Sequence, residues 1–160
     1  MTYKTKKIVE DTYSITFNNF DISLLSNADC MDKEEVHFYI SQICAELSLN
    51  ITDISVWNTT ENSTLNEIPY TWHEDAAWNT DTLLLIYFTD NILNSDTGGR
   101  IGFKDTEKEV FLDVSSGLCF IQHQVEGKIL HTVEPFKKSV SKRLVISCCL
   151  SGWEKFNPNQ

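Results

Sequence analysis

His131-Thr132-Val133-Glu134-Pro135 and, twelve residues beyond His131, the run Arg143-Leu144-Val145-Ile146-Ser147-Cys148-Cys149-Leu150 decide how this chain is read. Lys128–Val133 and Leu144–Leu150 both have strand character, and in a strand alternate side chains face opposite ways. His131 and Val133 therefore share one face, and the adjacent Cys148 and Cys149 point apart. Working outward, further short runs of the same kind are Ile51–Trp57, Ile68–Trp72, Leu83–Phe88, Arg100–Phe103, Val110–Val114 and Leu118–Ile121. Turn residues separate them: Asn58 to Asn66, Asn94 to Gly99, Ser115-Ser116-Gly117 and Glu126-Gly127. Many short strands at roughly 8–12-residue spacing predict a β-sandwich or barrel. Tyr13–Phe17 is a candidate for one more strand.

Ahead of this β body the spacing predicts one helix. Asp32 precedes Lys33-Glu34-Glu35 and can cap it, with Glu35 placed to reach back. Val36, Tyr39, Ile40, Ile43 and Leu47 follow as one apolar stripe. The 160 residues suit a single domain. Residues 1–50 are expected to supply helical N-terminal support and 51–153 the β core.

The formal charge of −10 argues against broad contact with nucleic acid or an anionic membrane. The longest apolar stretches fall far short of the ~20 residues that span a bilayer. The lysines of the opening MTYKTKKIVED lead into no apolar signal core, so a cytoplasmic protein is expected. The five cysteines are odd in number, form no C-x-x-C pair and are read as reduced thiols.

The chemistry concentrates at His73-Glu74-Asp75. An imidazole and a carboxylate two residues apart face the same way in extended structure, or converge across a turn. A second imidazole has to come from elsewhere, and His131 is the best candidate. Two histidines and one carboxylate on one side of a metal leave adjacent positions open, an arrangement that suits non-haem Fe(II) and O₂. Arg143 adds a guanidinium at the head of a strand. Facing inward, it needs a fixed anion, because a buried unpaired charge is costly. A small dicarboxylate supplies one through a bidentate pair.

The order of Tyr70-Thr71-Trp72-His73-Glu74-Asp75, Leu83–Phe88, Gly98-Gly99-Arg100-Ile101-Gly102-Phe103, Gly117–Ile121, His131–Pro135 and Arg143 with its alternating apolar residues resembles the Fe(II)/2-oxoglutarate-dependent oxygenases. It is most similar to their prolyl-hydroxylase-like branch. The resemblance implies a mostly β fold, a double-stranded β-helix (jelly roll) with one N-terminal supporting helix. It implies His73, Asp75 and His131 as iron ligands, Arg143 and Tyr87 on the far carboxylate of 2-oxoglutarate, Tyr70 as an aromatic lining the pocket, and Gly98-Gly99 as a turn. The cofactors it implies are Fe(II), the co-substrate 2-oxoglutarate and O₂. The activity it implies is hydroxylation of a C–H bond in a peptide residue, proline included, or in a small metabolite, with release of succinate and CO₂. The branch has its basic residue nearer the distal histidine, so Lys142 is a rival for Arg143, and Lys137-Lys138-Ser139-Val140-Ser141-Lys142 reads as a small insertion.

Other readings stand beside this one. His123 is a rival for His131, but it lacks the following V-x-P. Arg143 could instead be an exposed strand residue paired with Glu134. Trp72 and Trp78 either line a groove or belong to an aromatic core. Lys137, Lys138 and Lys142 are either a solvated spot or a steering patch. The alternatives in function are a cupin-like binding module without catalysis and a zinc hydrolase using the same three ligands. The N-terminal region is also a candidate dimer surface.

Overall fold

Leu83-Leu84-Leu85-Ile86-Tyr87-Phe88 carries no polar alternation because both of its faces are covered. In the computed structural model, which describes residues 3–59, 71–75 and 79–159, it is the centre of a strand buried along its whole length. The described residues form β1 (Tyr3–Val9), β2 (Thr12–Phe17), α1 (Lys33–Leu47), β3 (Asn50–Thr59), β4 (Thr82–Thr89), β5 (Ile101–Lys104), β6 (Glu109–Leu112), β7 (Leu118–His123), β8 (Leu130–Val133) and β9 (Arg143–Ser151). One sheet has the order β1-β2-β7-β4-β9-β3 and the other β6-β5-β8, and all of their pairings are antiparallel. An isolated bridge between His73 and His131 extends the smaller sheet past β8. The fold is a jelly roll, mostly β, with one supporting helix, as the resemblance implied.

Alternation within the strands sorts the core into two layers. Leu84, Ile86 and Phe88 of β4 and Leu144, Ile146, Cys148 and Leu150 of β9 pack with α1. Leu83, Leu85 and Tyr87 turn the other way, into the space between the sheets, with Ile101, Phe103 and Phe120. The helix forms where its stripe predicts. Asp32 accepts the Glu35 backbone N–H at 2.8 Å, and Val36, Ile40, Ile43 and Leu47 are buried. Burying each such side chain stabilises by roughly 1.5–3 kcal/mol. Ser48, in the left-handed region at φ 59°, ends the helix.

The structure differs from the sequence reading at the N-terminus. Residues 3–17 are not helical support but a hairpin that widens the larger sheet. β2 covers the expected Tyr13–Phe17, whereas β1 was not expected. Only its ends, Tyr3 and Val9, are buried, with lysines exposed between them, so it shows no amphipathic pattern. Lysines along an outer strand discourage further strand pairing. Most of the expected strand Ile68–Trp72 lies outside the described residues, and Thr71 and Trp72 are not in a strand. No described helix is long and apolar enough to cross a membrane. All five cysteines are free thiols.

Candidate metal centre

His73 and His131 meet because their backbones do. The N–H of each donates to the carbonyl of the other at 2.9 Å, the doubly bonded pair of an antiparallel ladder. Their ring centroids lie 4.3 Å apart. Asp75 reaches both imidazoles, with Oδ2 3.1 Å from His131 Nε2 and Oδ1 3.6 Å from His73 Nε2. One ligand atom from each of the three lies within 4.8 Å of the other two. Adjacent ligands of an octahedral ion with bonds of ~2.1 Å sit ~3 Å apart, so these spacings are close to those of a metal site.

The outer contacts settle the imidazole tautomers. His73 Nδ1 lies 2.7 Å from the Thr71 carbonyl oxygen, which only accepts, so that nitrogen carries the proton. Gln122 Nε2 donates to Thr12 Oγ1 at 3.1 Å and to the Leu130 carbonyl at 3.3 Å. Its Oε1 is thereby turned to accept from His131 Nδ1 at 3.2 Å and from Gln124 Nε2 at 3.3 Å. Gln124 Oε1 in turn accepts the Asp75 backbone N–H at 2.9 Å. Both Nε2 lone pairs then face the Asp75 carboxylate, the orientation that metal-ligating histidines adopt. Three electron-pair donors turned on one point call for a cation there, a proton on an imidazole or a metal ion. With the proton as that cation, His131 Nε2 donates to Asp75 Oδ2, and this hydrogen bond, against the cost of burial and with help from imidazolium charge, holds the Asp75 carboxyl below its usual value. His131 is buried, while the side chains of His73 and Asp75 are 45% and 39% exposed, so the site opens on one side.

A second feature lies on β9. Arg143 has the strand phase of Val145, which packs between the sheets, and it is 5% exposed. Nε donates to the Gly99 carbonyl at 3.2 Å, and the guanidinium lies 5.1 Å from the Tyr87 ring centroid. Among the described residues Nη2 is buried without a hydrogen-bond partner, as is Oγ1 of Thr89, its cross-strand neighbour. Buried cations with unpaired donors are costly unless an anion completes them. Burial raises the Tyr87 hydroxyl pKa, and Arg143 opposes that rise. Gly99 and its neighbour Gly98 have φ of 77° and 71°. A Cβ on Gly98 would collide with the Pro135 carbonyl oxygen. The expected turn is therefore one that demands glycine.

The rivals lie elsewhere. Lys142 lies just before β9 and donates to the Ser26 carbonyl at 3.1 Å. His123 stacks on Trp153 at 4.8 Å and pairs with Asp11 at 3.3 Å. Glu134 is bound by Arg100, not Arg143, through contacts of 2.9 and 3.0 Å. Lys137 donates to the Ser95 carbonyl at 2.7 Å, so two of the three lysines of the cationic spot are engaged by backbone carbonyls. Trp72 packs on Phe111, with the Lys104 ammonium 4.8 Å from its ring, on the outer side of the smaller sheet. Tyr70 and Trp78 lie outside the described residues. The residue that sequence reasoning missed is Gln122. Its signal was a polar side chain in phase with Leu118 and Phe120, on the face of β7 that turns between the sheets.

No family model and no curated protein matches this chain in sequence. Solved structures match it in shape. A prolyl hydroxylase from Trichoplax adhaerens, in complex with a hypoxia inducible factor oxygen degradation domain peptide fragment, has a TM-score of 0.56 at 13% identity, over 96% of this chain and 72% of that one. The viral collagen prolyl hydroxylase of Paramecium Bursaria Chlorella virus-1, as its 2OG complex, also has a TM-score of 0.56, at 12% identity, over 89% of this chain and 97% of that one. A prolyl 4-hydroxylase from Phytophthora capsici has a TM-score of 0.50 at 15% identity, over 75% of this chain, which spans 40% of that protein's length. At these identities the likeness is one of fold.

Proposed function

We propose that this chain is an Fe(II)- and 2-oxoglutarate-dependent dioxygenase that hydroxylates a C–H bond of a peptide residue, proline being the first candidate, or of a small metabolite. The observation that carries the reading is the convergence of His73, Asp75 and His131 on one point. The partnerless Nη2 of Arg143, deeper between the same sheets, supports it. The fold likeness to prolyl hydroxylases, one with a peptide fragment and one with 2OG, agrees with it.

The donor set fits Fe(II), since two neutral imidazoles and a carboxylate on one side leave positions open for other ligands. His73, Asp75 and His131 would hold the ion, and Arg143 with the Tyr87 hydroxyl would hold the far carboxylate of 2-oxoglutarate. When bound, the pair supplies O₂-driven hydroxylation of a C–H bond, with succinate and CO₂ released. The chain's own groups orient and exclude. The Thr71 carbonyl and the Gln122 amide keep the imidazoles in the metal-binding tautomer. Phe103, opposite His131 across the β5–β8 ladder, and Leu85 keep the inner wall dry. A dry wall protects the reacting centre from side reactions with water.

Anaerobic addition of Fe(II) and 2-oxoglutarate tests this. The wild-type chain should develop a visible charge-transfer band, His131→Ala should lack it, and Arg143→Gln should need about tenfold or more 2-oxoglutarate to reach it. A folded wild-type chain that gives no band ends the proposal. Zinc-dependent hydrolysis that survives Arg143→Gln would point to the hydrolase, and metal binding with no succinate over a broad substrate panel to the binding module.

A further inference from the structure

β3 has a partner on one side only. Among the described residues it pairs with β9 and closes the larger sheet at that end, so its outer backbone faces no strand. The two ends of the sheet are defended differently. β1 exposes Lys4, Lys6 and Lys7, whereas β3 carries ten residues with Asp53 as the one charge. Long outer strands without lysines are templates for an added strand.

The two faces of β3 differ as well. Ile51, Ile54 and Val56 turn toward α1 and, with Met31 and Val36, floor an open cleft of about 600 Å³ beside that edge. Asp53, Ser55 and Trp57 turn the other way, since their partners across β9 are Cys149, Ser147 and Val145, and Val145 packs between the sheets. Trp57 is 62% exposed. Asp53 is exposed and has no hydrogen-bond or ion-pair partner among the described residues. This wall leads toward the triad, because Asp53, Cys149, Leu83 and Gln122 are successive neighbours across the larger sheet and Gln122 holds His131.

We propose that an extended peptide carrying a lysine or arginine adds to the free edge of β3 as a further strand. Its alternate side chains enter the cleft over Ile54 and Val56, and those between lie along Trp57 and Asp53, with the cation against Asp53. The claim rests on the oxygenase reading for its consequence, delivery of a peptide side chain to His73, Asp75 and His131. Strand addition supplies affinity through the backbone and specificity through alternate side chains. Charge selects the occupant. A second copy at −10 is repelled by this chain, while a cationic segment is drawn in. The other charged or titratable groups lining the cleft are Asp29, Lys33 and His37, and Asp29 is already engaged by Asn58 at 2.8 Å and Lys142 at 4.0 Å. Trp57 offers an aromatic face to the cation or to its aliphatic stem.

The test uses fluorescein-labelled decapeptides that alternate valine and serine, with one lysine or one glutamate replacing each serine in turn. Anisotropy is read on the full chain with no metal added. One lysine register should bind about fivefold more tightly than its glutamate counterpart, and Asp53→Lys should reverse that order. N-methylation of the amides on one side of the peptide should abolish binding while methylation of the alternate amides is tolerated, a result that does not depend on any variant folding. No binding, equal binding of the lysine and glutamate peptides, an order unchanged in Asp53→Lys, or indifference to N-methylation overturns the proposal. So does sedimentation showing a dimer of the free chain that Asp53→Lys dissociates. The Fe(II)/2-oxoglutarate band is read in parallel on the wild-type chain. A band without peptide binding removes the docking edge alone, and peptide binding without a band removes the oxygenase reading alone.

Discussion

Gln122 is 1% exposed, and its amide turns His131 by accepting from Nδ1. Such outer contacts govern metal affinity through the orientation of the ligand they hold. Gln122→Ala should therefore weaken Mn(II) binding by about tenfold or more, with the fold retained. Gln122→Glu, which keeps an acceptor toward Nδ1, should recover most of it. Equal affinity in wild type and Gln122→Ala, measured by metal titration, would show that the network does not position His131. Arg143 and Lys142 make a related point. Adjacent in the chain, they part where β9 begins, Arg143 turning against Tyr87 and Lys142, just before the strand, toward Ser26 and Asp29.

Among the elements, α1 is held by a cap and a stripe that act independently of the site. Asp32→Ala removes the acceptor for the Glu35 N–H and should cost about 1 kcal/mol, read as a lower thermal midpoint with metal binding unaltered. The step from β8 to the loop before β9 carries its own ion pair. Arg100 holds both oxygens of Glu134, and this hydrogen-bonded pair keeps the Glu134 carboxyl below its ordinary value. A lowered carboxyl contributes stability above its unfolded-state value and loses it as pH falls through the folded-state value. Wild type should exceed Glu134→Gln by about 1 kcal/mol near neutrality. That gap should shrink as pH falls below the ordinary carboxylate range and Glu134 takes up its proton. A gap that stays constant across denaturation curves from pH 7 to pH 3 would mean the pair contributes no titratable stability.

Over the whole molecule, the larger sheet separates a structural layer under α1 from a chemical layer between the sheets. The thiols mark the first of these. Burial pushes Cys44 and Cys119 up to about 12 and raises Cys148 well above its usual range, while Cys30 is exposed. Thiolates, not thiols, react with alkylating reagents. Iodoacetamide at pH 8 should label Cys30 first and leave Cys44, Cys119 and Cys148 untouched until denaturant is added. Early labelling of those three, found by peptide mass spectrometry, would contradict the packing of α1 on the sheet. Sequence alone carried the helix, its Asp32 cap, most of the strands and the jelly roll, because each is written in local periodicity or in an ordered set of motifs. It also named the three residues that meet at the triad. It could not show β1, whose lysines hide an outer strand that only pairing with β2 defines. Nor could it show that Gln122 orients His131, that Glu134 belongs to Arg100, or that β3 ends the larger sheet among the described residues. Those depend on which distant segments become neighbours, and chain spacing does not encode that; the register of the antiparallel ladders decided it.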